Sequence, residues 1–125
     1  MTIRRVLIVD DDEDVRNITE LAASRLGNWE TTLAANGVEA LEKARSDPPD
    51  VILLDVMMPE LDGPATLVRL REDPVTAGVP VIFLTAKAQR GEVESYKALG
   101  ACGVIVKPFE IRNFVAQVRQ IVEDH

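Results

Sequence analysis

A chain of 125 residues, 46% of them apolar, is long enough to close one domain around a full core. Its formal net charge of −7 argues against a nucleic-acid-binding surface, which needs Lys and Arg clustered on one face. The apolar runs are too short to span a bilayer, so no membrane insertion is expected, and Ile3-Arg4-Arg5-Val6 leads into a strand rather than a signal sequence. The single cysteine, Cys102, can form no internal disulfide. It is expected in or near the core, and a reducing cytoplasm is the expected compartment.

Strand and helix patterns alternate five times. Arg5-Val6-Leu7-Ile8-Val9 is the first strand and ends in Asp10-Asp11-Asp12. A helix follows with Val15, Ile18, Ala22 and Leu26 on one side; acidic residues in its first turn suit the helix dipole. Gly27-Asn28 ends it. Trp29 to Ala34 forms a short strand whose Thr31-Thr32 pair fits a sheet edge. Asn36-Gly37-Val38-Glu39 has the form of a capping box, with Val38, Leu41 and Arg45 at turn spacing behind it, and Asp47-Pro48-Pro49 stops that helix.

Val51-Ile52-Leu53-Leu54 has no polar alternation and reads as a strand buried on both faces, running straight into Asp55. The third helix spans about Pro64 to Glu72, with Asp62 as its cap and Pro64 in its first turn. Val79 to Leu84 is a second all-apolar central strand, ending in Thr85-Ala86-Lys87. The fourth helix, about Arg90 to Leu99, is polar and weakly amphipathic, and Gly100 suits its left-handed terminus. Gly103 to Val106 is the fifth strand and ends in Lys107-Pro108-Phe109. The last helix carries Ile111, Phe114, Val115, Val118, Ile121 and Val122 in one apolar stripe, which is core.

Strict alternation with short connections implies a parallel sheet with right-handed crossovers and helices on both faces. The carboxyl ends of the strands then share one edge, where ligands bind in open α/β sheets. Asp10 to Asp12, Asp55, Thr85 and Lys107 each end a different strand, and all fall on that edge. Taken alone, Asp55 could merely open a loop into water; four polar strand endings together describe a site. At an effective dielectric of about 20, two unit charges about 4 Å apart repel by on the order of 4 kcal/mol, so clustered carboxylates favour a divalent cation. All-oxygen ligands suit Mg²⁺ or Mn²⁺. Lys107, the Thr85 hydroxyl and the Ala86 backbone N–H could share the oxygens of a phosphoryl group. There is no P-loop run, and the only histidine is the terminal His125, so a carboxylate nucleophile is the remaining carrier, with Asp55 the best placed.

Val9-Asp10-Asp11, Leu54-Asp55-Val56-Met57-Met58-Pro59 with Asp62-Gly63, Leu84-Thr85-Ala86 and Val106-Lys107-Pro108-Phe109 together resemble the receiver domain of two-component response regulators, across essentially the whole chain (1–125). The resemblance implies a flavodoxin-like, doubly wound, five-stranded parallel sheet in order 2-1-3-4-5 with five helices, in a single domain. It makes Asp55 the phosphoacceptor, taking its phosphoryl group from a histidine on a sensor kinase or a histidine phosphotransfer protein. Mg²⁺ (or Mn²⁺) would be held by Asp11, Asp55, the Met57 backbone carbonyl and Asp10, while Thr85, Ala86 N–H and Lys107 would contact the phosphoryl group. Asp12 is then the residue that caps the first helix. Lys107-Pro108 matches a position with a cis peptide in the family, and Met57 and Lys87 match positions that tune phosphoryl lifetime. Lys87 could pair with either the phosphoryl group or Glu92. Downstream signalling is expected through the face of helix four, strand five and helix five, to a protein partner rather than to nucleic acid.

One position departs from the pattern. Three residues before the lysine the family usually carries Tyr or Phe, whose ring moves with the threonine; here it is Val104, with no ring to swing. Backbone movement of the Thr85–Lys87 loop is the expected route instead. Two other readings stand beside the receiver: a haloacid-dehalogenase-like phosphatase with Asp10 as nucleophile, and a degenerate receiver serving only as a binding module. The ending Glu123-Asp124-His125 just after the last helix favours a stand-alone receiver over a piece of a longer regulator.

Overall fold

The computed structural model describes residues 2–125. Five parallel strands, β1 (Arg5–Val9), β2 (Glu30–Ala34), β3 (Val51–Asp55), β4 (Val81–Thr85) and β5 (Gly103–Val106), form one sheet in order β2-β1-β3-β4-β5. Five helices alternate with them: α1 (Glu13–Leu21), α2 (Gly37–Ser46), α3 (Gly63–Glu72), α4 (Arg90–Ala98) and α5 (Ile111–Asp124). Strand alternation divides the core in two. Leu7, Val9, Ile52, Leu54 and Phe83 face α2 and α3, with Tyr96 of α4 packed against the same cluster. Val6, Ile8, Leu53, Ile82, Leu84 and Ile105 face α5 and the segment that ends α1. Every residue of β3 and β4 is buried, as expected of central parallel strands covered on both faces.

The helix termini follow their sequence signals. Asp12 Oδ1 accepts the N–H groups of Asp14 (2.9 Å) and Val15 (3.3 Å), Asn36 Oδ1 that of Glu39 (2.8 Å), and Asp62 Oδ1 that of Ala65 (2.9 Å). At the end of α4, Gly100 takes φ +113 while its N–H donates to the Lys97 carbonyl and the Ala101 N–H to that of Tyr96. This is the paired closure of a Schellman motif.

The buried faces of α1 and α2 differ from the expected ones. Ala22 is buried as expected, but Ile18 and Leu26 stay about half exposed, and Thr19 and Ala23 are buried in their place. The chain from Ala22 to Leu26 is a π-helical turn, whose wider winding rotates later residues away from a 3.6-residue stripe. In α2 Val38 is exposed, and Ala40 and Ala44 face the sheet with Leu41 at the margin. Small residues let both helices lie close to the strands, leaving larger apolar side chains on the rim. Two strand boundaries also shift: β2 begins at Glu30, after a buried Trp29, and β4 begins at Val81, after Pro80.

Candidate functional site

The carboxyl edge of the sheet brings together Asp10 just past β1, Asp55 at the end of β3 and Lys107 just past β5. Lys107 Nζ donates to Asp10 Oδ2 at 2.8 Å and to Asp55 Oδ1 at 2.9 Å. Asp10 is fully buried and Asp55 nearly so. Asp11 is exposed beside them, and one carboxylate oxygen from each of Asp10, Asp11 and Asp55 lies within 4.8 Å of the others. A three-carboxylate, all-oxygen donor set of this compactness fits a small hard dication. Close packing of β3 against the start of α3 supports the arrangement. A Cβ on Gly63 would lie 2.5 Å from the Asp55 carbonyl oxygen, so only glycine allows the helix to begin there.

Asp10 is held at every polar atom. Its N–H donates to the Ala34 carbonyl (3.1 Å), its Oδ1 accepts the Asp12 N–H (2.9 Å), its Oδ2 accepts Lys107, and its carbonyl accepts Arg16 Nη1 (2.7 Å). Thr85 is buried at the end of β4. Its hydroxyl oxygen accepts the Lys87 N–H at 3.0 Å, which leaves its own proton available, and its carbonyl accepts the Lys107 N–H at 2.8 Å. Ala86 and Lys87 are exposed on the loop that follows, and Met57, two residues after Asp55, has an exposed side chain. The Lys107–Pro108 peptide is cis.

Electrostatics bear the mark of crowding. Burial raises the Asp55 carboxyl to about 6; the Lys107 hydrogen bond opposes the rise and the charge of Asp10 adds to it. Burial alone would push the Lys107 ammonium down, but the Asp10 and Asp55 carboxylates hold it above its ordinary value. The site therefore contains a partly desolvated carboxylate still largely ionised at neutral pH, beside a fixed cation.

Three features escaped the sequence reading. Arg16 on the Asp10 carbonyl is the first. The second is a hollow of about 410 Å³ beside Lys107, lined by Val15, Ile18, Ala86, Pro108, Phe109 and Ile111. Ile18 and Ile111, both placed on buried stripes by their spacing, instead stand partly exposed and line it. The third is Tyr96, whose ring meets Phe83 edge-on at 5.0 Å, with Val104 packed against the same cluster. Val104 does lack a ring, but α4 brings one to the neighbouring strand.

Comparison with known proteins agrees with this geometry. A family model described as response regulator receiver domain matches residues 6–119. The transcriptional regulatory protein CseB of Streptomyces coelicolor is 39% identical over 94% of this chain and 48% of its own length. The probable transcriptional regulator ycf27 of Guillardia theta is 38% identical over 97% of this chain and 46% of its own. The chain thus spans about half the length of the curated relatives it matches. Their names connect them with transcription, so the expectation of no contact with nucleic acid finds no support among them. In solved structures, chemotaxis protein CheY4 of Vibrio cholerae superposes with a TM-score of 0.88 at 31% identity, covering 95% of this chain and 98% of that one. A putative response regulator from Chloroflexus aurantiacus gives 0.87 at 34% identity, covering 97% and 98%. Among the described residues no helix is long and apolar enough to cross a membrane. Fold, strand-end chemistry and relatives converge: the chain belongs to the response regulator receiver domain family.

Proposed function

We propose that this domain is a phosphoacceptor switch of a two-component or phosphorelay system, and that Asp55 carries the phosphoryl group. The observation that carries the reading is the convergence of Asp10, Asp11 and Asp55 with Lys107 Nζ, which bridges two of the three. An Asp55 carboxylate oxygen attacks the phosphorus of a phosphohistidine on a sensor kinase or phosphotransfer protein. The P–O bond forms, the P–N bond breaks, and the imidazole leaves. Lys107, the Thr85 hydroxyl and the Ala86 N–H take the phosphoryl oxygens, Thr85 donating the proton that its bond from the Lys87 N–H leaves available. Asp10, Asp11, Asp55 and the Met57 carbonyl would hold Mg²⁺, with Mn²⁺ as a substitute. When bound, the ion supplies charge neutralisation for the transferring group.

Readout runs through the Thr85–Lys87 loop to α4, β5 and α5, whose common face meets the downstream partner. Lys87 and Met57 flank the approach to Asp55, at positions where they govern phosphoryl lifetime. The domain is a signalling switch in the cytoplasm, acting catalytically only on its own phosphorylation and dephosphorylation.

Acetyl phosphate with Mg²⁺ tests this reading. Intact-mass analysis is expected to find one added phosphoryl group, lost on brief alkaline treatment, and absent in Asp55→Asn. Label that persists in Asp55→Asn and disappears in Asp10→Asn would mean a phosphatase-type nucleophile instead. Full burial of Asp10, with both carboxylate oxygens already bonded, argues against that outcome.

A further inference from the structure

Asp11 is the least constrained member of the carboxylate cluster. It is exposed, and among the described residues neither a backbone nor a side-chain donor bonds its carboxylate. With no bond holding the side chain, the positions its carboxylate can reach are set by where the backbone points its Cα–Cβ bond, and first by the plane of the Asp10–Asp11 peptide that precedes its Cα. The oxygen of that peptide is the Asp10 carbonyl. It lies one residue past the last strand position, at a buried residue, where an unbonded carbonyl would cost free energy. Arg16 Nη1 meets it at 2.7 Å, reaching back from the first turns of α1.

The other three bonds to Asp10 come from the sheet, from the capping turn and from Lys107. They fix the strand end and the carboxylate of Asp10, but not the far side of the peptide that leads to Asp11. Arg16 is itself tied in: its N–H donates to the Asp12 carbonyl at 2.9 Å, within the helix that Asp12 caps. A planar guanidinium on a helix with a fixed start is a stiff strut for a peptide plane. Its charge rests on a backbone oxygen and not on the carboxylates of Asp10, Asp11 or Asp55.

We propose that Arg16 is a positioning residue: by clamping the Asp10–Asp11 peptide plane, it aims the Asp11 carboxylate into the divalent-cation site. The inference rests on the metal-site reading above. It makes a prediction opposite in sign to simple electrostatics. Removing a cation close to three carboxylates, by charge alone, tightens binding of a dication. Removing a strut that orients a ligand loosens it, as loss of groups supporting metal ligands commonly does, by about tenfold or more.

The test is titration of the full chain with Mn²⁺, following the free-ion electron paramagnetic resonance signal, with circular dichroism to establish folding. Arg16→Met is expected to bind Mn²⁺ about tenfold more weakly than the parent chain. Arg16→Lys, which keeps one donor and the charge, is expected to recover most of that loss. Should Arg16→Met not fold, Arg16→Gln is titrated in its place, with the same expected direction. Equal or tighter binding in the neutral variant overturns the positioning role while leaving the metal site intact. Failure of the parent chain to bind Mn²⁺ overturns the metal site itself, and the two failures are read from different titrations.

Discussion

At Asp55 burial sets a cost on the carboxylate's charge. A carboxyl raised to about 6 in the folded chain, against an ordinary value near 4, binds protons more tightly folded than unfolded. Its favourable contribution to stability is fully present below about pH 4 and is lost as pH rises through about 6. Asp55→Asn removes the titrating group while keeping its size and one acceptor for Lys107. With chelator present, the variant is expected to match the parent near pH 4 and to exceed it by on the order of 2 kcal/mol at pH 7 and above. Urea unfolding at several pH values measures this directly. A variant that is no more stable at pH 7 than at pH 4, relative to the parent, means that Lys107 fully compensates the buried charge.

Among the helices, α4 alone has no buried residue along its length, Arg90–Ala98. Its ring contact is Tyr96 on Phe83, and the register of β4 and β5 sets Phe83 beside Val104, two positions before Thr85 on the same strand face. Tyr96→Ala is expected to speed amide exchange across Arg90–Ala98 and to cost about 1 kcal/mol or somewhat more, whereas Tyr96→Phe keeps the contact. Exchange mass spectrometry that finds α4 equally protected in both variants would refute an anchoring role for the ring.

This contact also marks where sequence legibility ends. The unbroken apolar runs of β3 and β4, the Asp12, Asn36 and Asp62 caps, and Gly100 could each be read because their cause lies within a few residues. Pairings between elements could not. Tyr96 is a lone aromatic on a polar helix, and nothing in the strand pattern of Val104 points to it. The Arg16 bond to a backbone carbonyl likewise leaves no trace in residue spacing. The faces of α1 and α2 depart from their apolar spacing for a related reason: hydrophobicity ranks Ile18 and Val38 above Ala23 and Ala40, while close helix–sheet packing favours the smaller side chains.

For the whole molecule, the two half-cores share one sheet, so what happens at its carboxyl edge bears on the stability of the entire domain. A ligand that binds only the folded chain stabilises it by about 2.7 kcal/mol at a free concentration of about one hundred times its Kd. Here the bound ion would also relieve repulsion among Asp10, Asp11 and Asp55. For a cooperative domain of this size, each kcal/mol moves Tm by roughly 3–5 °C, which gives a rise of roughly 8–13 °C at saturating Mg²⁺. Asp11→Asn separates the two contributions. It removes one like charge, so its metal-free Tm is expected to lie at or above that of the parent. It also removes an exposed ligand with no structural hydrogen bond, so most of the Mg²⁺-induced rise is expected to vanish. Thermal melts at matched ionic strength, with chelator and with Mg²⁺, measure both effects. A parent chain whose Tm ignores Mg²⁺, or an Asp11→Asn variant that keeps the full rise, would show that the carboxylate cluster does not bind the ion as proposed.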